Sequence, residues 1–159
     1  MNILFVCTDN YTRSVIAECC MRHYLKETGN TSVNVGSAGI RAASDVSQYS
    51  NVHFDIMHEM GIDTSDFKRT QFNESCFDHY DAVIGMSELH REHIRQTYNR
   101  DILLFNEAAH GHTVPIQIGL PDSPNFLEEM RRLVVYFLES APVLLQKLSE
   151  PRKANSGEN

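Results

Sequence analysis

The sequence predicts a single α/β domain with a four-stranded parallel sheet flanked by helices on both faces. Short apolar runs rich in valine, isoleucine and leucine recur along its 159 residues, and segments with helical spacing of apolar residues separate them. Continuous apolar runs are typical of strands buried on both faces, and helices between such strands indicate right-handed crossovers in a parallel sheet. A chain of this length is large enough for one hydrophobic core.

The first half of the chain contains two of the predicted strands. Ile3–Val6 is an apolar, β-prone run that forms the first strand, and a helical pattern follows from Ser14 to Lys26. Val33–Gly36 is the second strand and leads into a turn at Ser37–Gly39. Tyr49–Glu59 is predicted to be helical, because apolar residues recur there on one face ahead of a glycine stop.

The second half supplies the other two strands and the last helix. Ala82–Met86 is a compact buried strand, Glu88–Tyr98 has a helical pattern, and Ile102–Phe105 is the fourth strand. The last helix has apolar residues at helical spacings of four, three and four, namely Phe126, Met130, Leu133 and Phe137.

The position of Pro142 and the composition of the last nine residues predict how the last helix and the ordered domain end. Pro142 is expected to kink the last helix or to open a new turn after Ser140, since proline lacks the N–H that a helix needs. Residues 1–150 are predicted to form the domain. Residues 151–159 are polar and rich in turn-forming types, and we expect them to be a disordered tail.

Composition excludes several classes of protein. Apolar residues make up 42% and charged residues 22% of the chain, as in ordinary globular proteins. We find no apolar run near the ~18–20 residues of a membrane span and no basic segment of a secretory signal. A formal charge of −7 argues against nucleic-acid and anionic-membrane partners. The four cysteines have neither metal nor disulfide spacing, so we expect reduced thiols in a cytoplasm.

The segment from Cys7 to Ser14 predicts an anion-binding site between the first strand and the first helix. Cys7 closes the strand, Arg13 follows after five residues, and Ser14 begins the helical pattern. The N–H groups of such a loop point at one bound anion, and the helix dipole adds positive potential there. A guanidinium group can bind two oxygens of the same anion. The same field favours thiolate over thiol, which indicates chemistry on a phosphoryl group. The other predicted phosphate-binding residues are Thr8, Asp9, Asn10, Tyr11, Thr12 and Ser14.

With this loop near its start, the chain resembles the low-molecular-weight protein tyrosine phosphatase family over roughly residues 2–148. The loop matches the family pattern V-C-x-G-N-x-C-R-S at Val6-Cys7, Asn10 and Arg13-Ser14. Further matches occur in the family's order at Ser37–Gly39, at Gly61–Asp63 with Ser65, and at Tyr80–Met86. The resemblance implies the phosphotyrosine phosphatase I-like fold and a two-step reaction through a cysteinyl phosphate.

The resemblance also assigns roles to individual residues. Cys7 would be the nucleophile and Arg13 the clamp on the equatorial oxygens. Ser14 would donate a hydrogen bond to the thiolate. Asn10 would support the loop by adopting a left-handed backbone, which asparagine tolerates, and Ser37 would bond to Asn10.

The chain departs from the family pattern at the loop and beside it. Asp9 replaces the loop glycine, and we expect its side chain to face solvent. Thr12 stands where many members have a second cysteine, so no disulfide can form between loop cysteines. After Ser37–Gly39 the chain reads Ile40-Arg41-Ala42-Ala43-Ser44, without the aromatic residue that often walls the phosphotyrosine slot in the family.

The candidate general acid is Asp122. The family uses an Asp-Pro pair before the last helix, and here the pair becomes Asp122-Ser123-Pro124. Asp122 is the only carboxylate between Glu107 and Glu128, and a carboxylic acid can protonate the leaving group and then activate water. The alternative is structural: Ser123 caps the last helix, Pro124 occupies its first position, and Asp122 complements the helix dipole.

The remaining cysteines and histidines do not predict a second site. Of Cys19 and Cys20 on the first helix, we expect one to pack as a small hydrophobe, and we expect Cys76 to be structural. His90 and His93 are three residues apart on a predicted helix, but no cysteine or carboxylate joins them at ligand spacing. We therefore expect no metal and no cofactor.

The predicted function is a phosphomonoesterase of the protein-tyrosine-phosphatase type. The expected substrate is phosphotyrosine on a protein or a small aryl phosphate. Two alternatives stay open. Asp9 and the altered acid loop favour a catalytically weak or inactive phospho-binding module, and another substrate, such as phosphoarginine or a small phosphometabolite, is the second. The sequence leaves the oligomeric state open.

Overall fold

Four parallel strands form the centre of the protein in the order β2-β1-β3-β4. The structure is a computed structural model that describes residues 1–43 and 50–150. The strands are β1 (Asn2–Cys7), β2 (Asn34–Gly39), β3 (Ala82–Gly85) and β4 (Leu103–Leu104). The predicted α/β fold with four parallel strands is confirmed.

Six helices among the described residues cover both faces of the sheet. They are α1 (Arg13–Glu27), α2 (Val52–Glu59), α3 (Cys76–His79), α4 (Glu88–Tyr98), α5 (Phe105–His110) and α6 (Phe126–Ser149). Alternate side chains of β1 point to opposite faces, as in any strand. Ile3 and Phe5 therefore pack in the core with α1, α2, α5 and α6, whereas Leu4 and Val6 pack with Ile94 of α4.

The strand register brings the ends of β1, β2 and β3 to one edge of the sheet. Cys7 pairs with Gly39 of β2, and Val6 pairs with Gly85 of β3. The first residues after these strands therefore meet at the carboxyl edge, where parallel α/β sheets bind their ligands. The predicted turn at Ser37–Gly39 is instead the paired end of β2.

The fourth strand is shorter than predicted because its last residue starts a helix. β4 pairs only with β3, through Leu103 and Leu104. The carboxylate of Glu107 accepts the Leu104 N–H at 3.2 Å, which caps the first turn of α5. Phe105 then turns into the core, where its ring lies 4.9 Å from that of Phe137.

The last helix continues through Pro142 without a break. α6 runs from Phe126 to Ser149, so the predicted new turn after Ser140 is wrong. Ser140, Ala141 and Leu144 are buried on both sides of the proline, and this packing offsets the lost hydrogen bond. Asn125 occupies the N-cap position of α6, without a side-chain capping hydrogen bond, so Ser123 is not the N-cap residue.

Two expectations lie partly or wholly outside the described residues. Tyr49, the predicted start of the second helix, is not among them, and α2 begins at Val52. The predicted tail at 151–159 also lies outside them. Within the described ranges, no helix is both long and apolar enough to cross a membrane.

Candidate active site

Residues 8–12 form a loop between the central strand β1 and helix α1. Cys7 is the last residue of β1 and is only 3% exposed, and Arg13 is the first residue of α1. The loop turns at Asn10, whose φ of 52° lies in the left-handed region that asparagine tolerates. The expected conformation of Asn10 is confirmed.

Gly39 at the end of β2 supports this loop from below. A Cβ atom at Gly39 would lie 2.6 Å from the Asn10 nitrogen and 2.8 Å from the Thr8 oxygen. Only glycine allows such a close approach. The N–H of Ile40 donates to the Cys7 carbonyl at 3.0 Å, and that of Arg41 donates to the Thr8 carbonyl at 2.8 Å.

The loop provides backbone donors for an anion. The N–H groups of Thr8, Asp9, Asn10 and Thr12 donate to no partner within residues 1–43 and 50–150. They stand at the N-terminus of the 15-residue helix α1, whose first turn contains no acidic residue. The helix dipole therefore adds positive potential at the same place.

A buried hydrogen-bond network fixes the sulfur of Cys7. The Ser14 Oγ lies 3.0 Å from the Cys7 Sγ. The Asn10 amide donates to Ser14 Oγ at 2.9 Å and to Ser37 Oγ at 2.8 Å, and Ser37 donates to the Glu18 carboxylate. Each hydroxyl accepts a hydrogen bond from Asn10 and keeps its own hydrogen available to donate. The Ser14 hydroxyl is therefore placed to donate to the Cys7 sulfur.

Glu18 is the residue of this network that the sequence analysis missed. It lies on α1, is 3% exposed, and forms an ion pair of 2.5 Å with Arg22. Arg22 also donates to the carbonyl of Val35 in β2 at 2.9 Å. A carboxylate four residues after Ser14 was the available signal, since residues i and i+4 share a helix face.

Arg13 is held in place by neighbours on two segments. Its Nη1 donates to the Ile116 carbonyl at 3.1 Å, and its Nη2 donates to Thr8 Oγ1 at 3.3 Å. The segment after α5 therefore reaches the loop at Ile116. Asp122, farther along that segment, is exposed, and no hydrogen bond or ion pair joins it to the loop among the described residues.

Two buried histidines contact the loop from different helices. His53 of α2 donates from Nε2 to the Tyr11 carbonyl at 2.8 Å, and His90 of α4 lies 3.1 Å from Thr8 Oγ1. Burial lowers the pKa of His53 to about 4. Burial, with the positive charge of Arg13, lowers the pKa of His90 to about 3. Both rings are therefore neutral at physiological pH.

The other cysteines lie in the core, away from the loop. Cys19 and Cys20 are fully buried on α1, and Cys76 is buried at the start of α3. Burial raises the pKa of Cys19 to about 12 and also raises that of Cys20, so neither forms a thiolate. Within the described ranges, no group of three or more His, Cys, Asp or Glu could hold a metal ion.

A cavity lies elsewhere in the described part of the chain. It has a volume of about 580 Å³ and opens at the amino ends of β1, β3 and β4, between Met1, Asp81, Arg100 and Lys147. Its lining mixes both signs of charge and contains no cysteine or histidine. The loop after β1 is the better candidate for chemistry on an anion, because it has a buried sulfur and four N–H groups that donate to no partner among the described residues.

The fold and the loop together define a class of protein, a parallel α/β domain with an anion-binding loop and a buried cysteine at the carboxyl edge of its sheet. The chain belongs to the low molecular weight phosphotyrosine protein phosphatase family, whose family model matches residues 2–124. The predicted family resemblance is confirmed, and membership makes the protein a phosphatase that acts on a phosphorylated substrate.

Solved structures of similar proteins share this fold. A YwlE mutant from Bacillus subtilis is 23% identical, with a TM-score of 0.80 and 94% of this chain and 99% of that chain covered. A low molecular weight protein tyrosine phosphatase from T. tengcongensis is 26% identical, with a TM-score of 0.76 and coverage of 92% and 99%. The YwlE arginine phosphatase from Geobacillus stearothermophilus is 22% identical, with a TM-score of 0.76 and coverage of 99% and 98%. A search of curated proteins gave no significant match.

Proposed function

We propose that the protein hydrolyses phosphomonoesters through a cysteinyl phosphate on Cys7. The observation that carries the proposal is the 3.0 Å contact between the Cys7 sulfur and the Ser14 hydroxyl, below a loop of available amides. Since Asn10 already donates to Ser14, the Ser14 proton stabilises a thiolate. The thiolate is the nucleophilic form of cysteine.

The reaction has two displacement steps at phosphorus. In the first, the Cys7 thiolate forms an S–P bond while the P–O bond to the leaving group breaks. Asp122 gives its proton to the departing oxygen. In the second, the Asp122 carboxylate takes a proton from water, whose oxygen bonds to phosphorus as the S–P bond breaks. Inorganic phosphate leaves and the thiolate is restored.

Arg13 and the loop amides hold the phosphoryl oxygens in both steps. A guanidinium has five N–H donors, and in the described part of the chain Ile116 and Thr8 take one each. The other donors are available to the equatorial oxygens, whose charge grows toward the transition state. The same two contacts prevent Arg13 from turning away into solvent.

The role of Asp122 is supported by the course of its segment. The chain that contains Asp122 contacts the clamp itself, because the Ile116 carbonyl accepts from Arg13. Asp122 is exposed and makes no described ion pair that would keep its carboxyl group from a substrate. The capping alternative loses its main support, because Asn125 and not Ser123 occupies the N-cap position of α6.

We propose phosphotyrosine on a protein, or a small aryl phosphate, as the substrate, in a reducing compartment such as the cytoplasm. The four cysteines are free thiols, which suits that compartment. Phosphoarginine is the second candidate. One support is the similarity to structures described as YwlE arginine phosphatases. The other is Asp9 in the loop, whose carboxylate would attract the guanidinium group of such a substrate.

Turnover of p-nitrophenyl phosphate by Cys7→Ser tests the intermediate. We expect activity to fall to the uncatalysed background, whereas the matched control Cys76→Ser stays active. Acid quenching of the wild type during turnover should leave one phosphoryl group on the peptide that contains Cys7. The mechanism would be overturned if Cys7→Ser hydrolysed the ester as fast as wild type, or if the phosphoryl group were found on another residue. Tight vanadate binding without turnover would instead indicate a phospho-binding module.

A leaving-group series tests Asp122. Asp122→Ala should slow the hydrolysis of phenyl phosphate more than that of p-nitrophenyl phosphate. Phenolate is the poorer leaving group of the two, so its departure depends more on the proton from Asp122. Glu128→Ala, a carboxylate on the first turn of α6, is the control. Equal losses on both esters would remove Asp122 from the acid role. Comparing kcat/KM for phosphotyrosyl and phosphoarginyl peptides then decides the substrate class.

A further inference from the structure

The reaction described above makes no use of the ring of His90. This histidine lies on α4 and is fully buried, with Nε2 at 3.1 Å from Thr8 Oγ1. Its Nδ1 lies 3.3 Å from the backbone nitrogen of Met86, 3.2 Å from that of Ser87, and 3.4 Å from the Ser87 hydroxyl. The ring therefore bridges the start of α4 and the loop after β1.

The hydrogen-bond partners determine the tautomer of His90. Two backbone N–H groups point at Nδ1, so Nδ1 accepts and has no proton of its own. A neutral ring then has its proton on Nε2, and Thr8 Oγ1 is the acceptor. Burial and the nearby Arg13 and His93 all disfavour a second proton, which agrees with the lowered pKa of His90.

The Thr8 hydroxyl receives a second hydrogen bond from Arg13. Arg13 Nη2 donates to Thr8 Oγ1 at 3.3 Å. A hydroxyl has two acceptor lone pairs and one proton. With both lone pairs engaged by His90 and Arg13, the only function that Thr8 has left is to donate, and Thr8 is the loop residue directly after the nucleophile.

We propose that His90 is a positioning residue that makes Thr8 a side-chain donor to a phosphoryl oxygen and helps to hold Arg13 Nη2. The proposal rests on the proposed phosphate site but not on the chemistry at Cys7. His90 thereby gives the loop one neutral hydrogen bond, from its Nε2–H to Thr8 Oγ1. The N–H groups of Met86 and Ser87 set the direction of this bond, because they keep Nδ1 an acceptor. The contact at Nδ1 alone would be a helix cap, a purely structural role.

Two substitutions of His90 separate positioning from capping. His90→Asn keeps an acceptor near the Nδ1 position but is too short to reach Thr8, whereas His90→Gln places an N–H near the Nε2 position. We expect His90→Asn to weaken the binding of inorganic phosphate and to lower kcat/KM about fivefold to tenfold, the effect of one hydrogen bond. His90→Gln should restore most of the loss. His93→Gln is the control, because His93 lies on the same helix and makes no hydrogen bond within the described ranges.

A double-mutant cycle with Thr8→Val tests whether His90 acts through Thr8. In the Thr8→Val background, His90→Asn should cause no further loss of phosphate affinity, measured by NMR titration of the loop amides. Fully additive losses, or a His90→Gln variant as weak as His90→Asn, would overturn the proposal. Phosphate affinity does not require turnover, so these outcomes are read independently of whether Cys7 is the nucleophile.

Nitrogen NMR of the wild-type imidazole gives a second, activity-independent result. We expect His90 to be the Nε2–H tautomer and to stay neutral from neutral pH down to pH 5, with or without inorganic phosphate. An Nδ1–H tautomer, or a ring that gains a proton in that interval, would contradict the assigned hydrogen-bond direction even if all variants fold poorly.

Discussion

The two buried histidines that contact the loop predict a steep loss of stability in mild acid. His53 and His90 are neutral in the folded protein, with pKa values of about 4 and about 3, against 6.5 for an ordinary histidine. Below pH 6.5 the unfolded chain binds protons at both residues that the folded chain does not bind. The free energy of unfolding therefore falls as the pH falls below 6.5. The stability that each histidine contributes is lost progressively until the pH reaches the pKa of that histidine in the folded protein.

The size of the effect at pH 5 depends mainly on the ordinary pKa. A pH of 5 lies about 1.5 units below 6.5, and at about 1.36 kcal/mol per unit each histidine contributes about 2 kcal/mol. The pair therefore removes about 4 kcal/mol from the free energy of unfolding, a large part of the ~5–15 kcal/mol of a typical domain.

Urea unfolding of matched variants isolates this contribution. Carboxylates also titrate in acid, so the relevant quantity is the loss between about pH 7.5 and about pH 5 in wild type minus the loss in His53→Gln, His90→Gln and the double variant. We expect each single variant to lose about 2 kcal/mol less than wild type and the double variant about 4 kcal/mol less. His112→Gln, at an exposed position, is the control. Equal losses in wild type and the double variant would refute the reasoning.

Three further predictions follow from the loop and its supports. Gly39→Ala should abolish phosphate binding and lower the free energy of unfolding by about 2 kcal/mol or more, since the new methyl group would meet loop backbone at 2.6 Å; a wild-type affinity for phosphate would contradict this. Iodoacetamide should alkylate Cys7 and spare Cys19 and Cys20, whose raised pKa values keep them as thiols. Mass spectrometry identifies the labelled cysteines, and we expect phosphate to protect Cys7 from labelling. Glu18→Gln should cost roughly 1–3 kcal/mol in urea unfolding, because Arg22 loses its charged partner; Glu27→Gln, at an exposed position on the same helix, is the control.

Local sequence signals predicted the sheet and the loop well. The Cys7–Ser14 spacing, a left-handed Asn10 and the pairing of Asn10 with Ser37 all appear in the structure. These features depend on neighbouring residues or on a short run that recurs in a family. The catalytic roles of Cys7, Arg13 and Asp122 are proposals that the variants at Cys7 and Asp122 test.

Features that depend on distant packing were not predicted. Glu18 follows Ser14 by four residues, a spacing that suits both a network partner and an ordinary surface charge, and only the packing of α1 between the sheet and α6 places its carboxylate inside. His90 meets Thr8 across 82 positions of sequence, so no local pattern connects them. Pro142 was expected to kink α6 or to open a new turn after Ser140, but buried neighbours on both sides of it keep the helix continuous, without a new turn.

The position of β2 at the edge of the sheet makes the candidate site vulnerable to local opening. Ser37 and Gly39, which orient Asn10 and support the loop, both belong to this outer strand, whose one neighbouring strand in the sheet of the described residues is β1 and whose other side is bridged at Gly39 to Gln71. If β2 frays while the rest of the domain stays folded, the loop loses both supports at once. Activity would then disappear at a lower denaturant concentration than the bulk helical signal, and the amides of β2 would exchange with deuterium before those of β3.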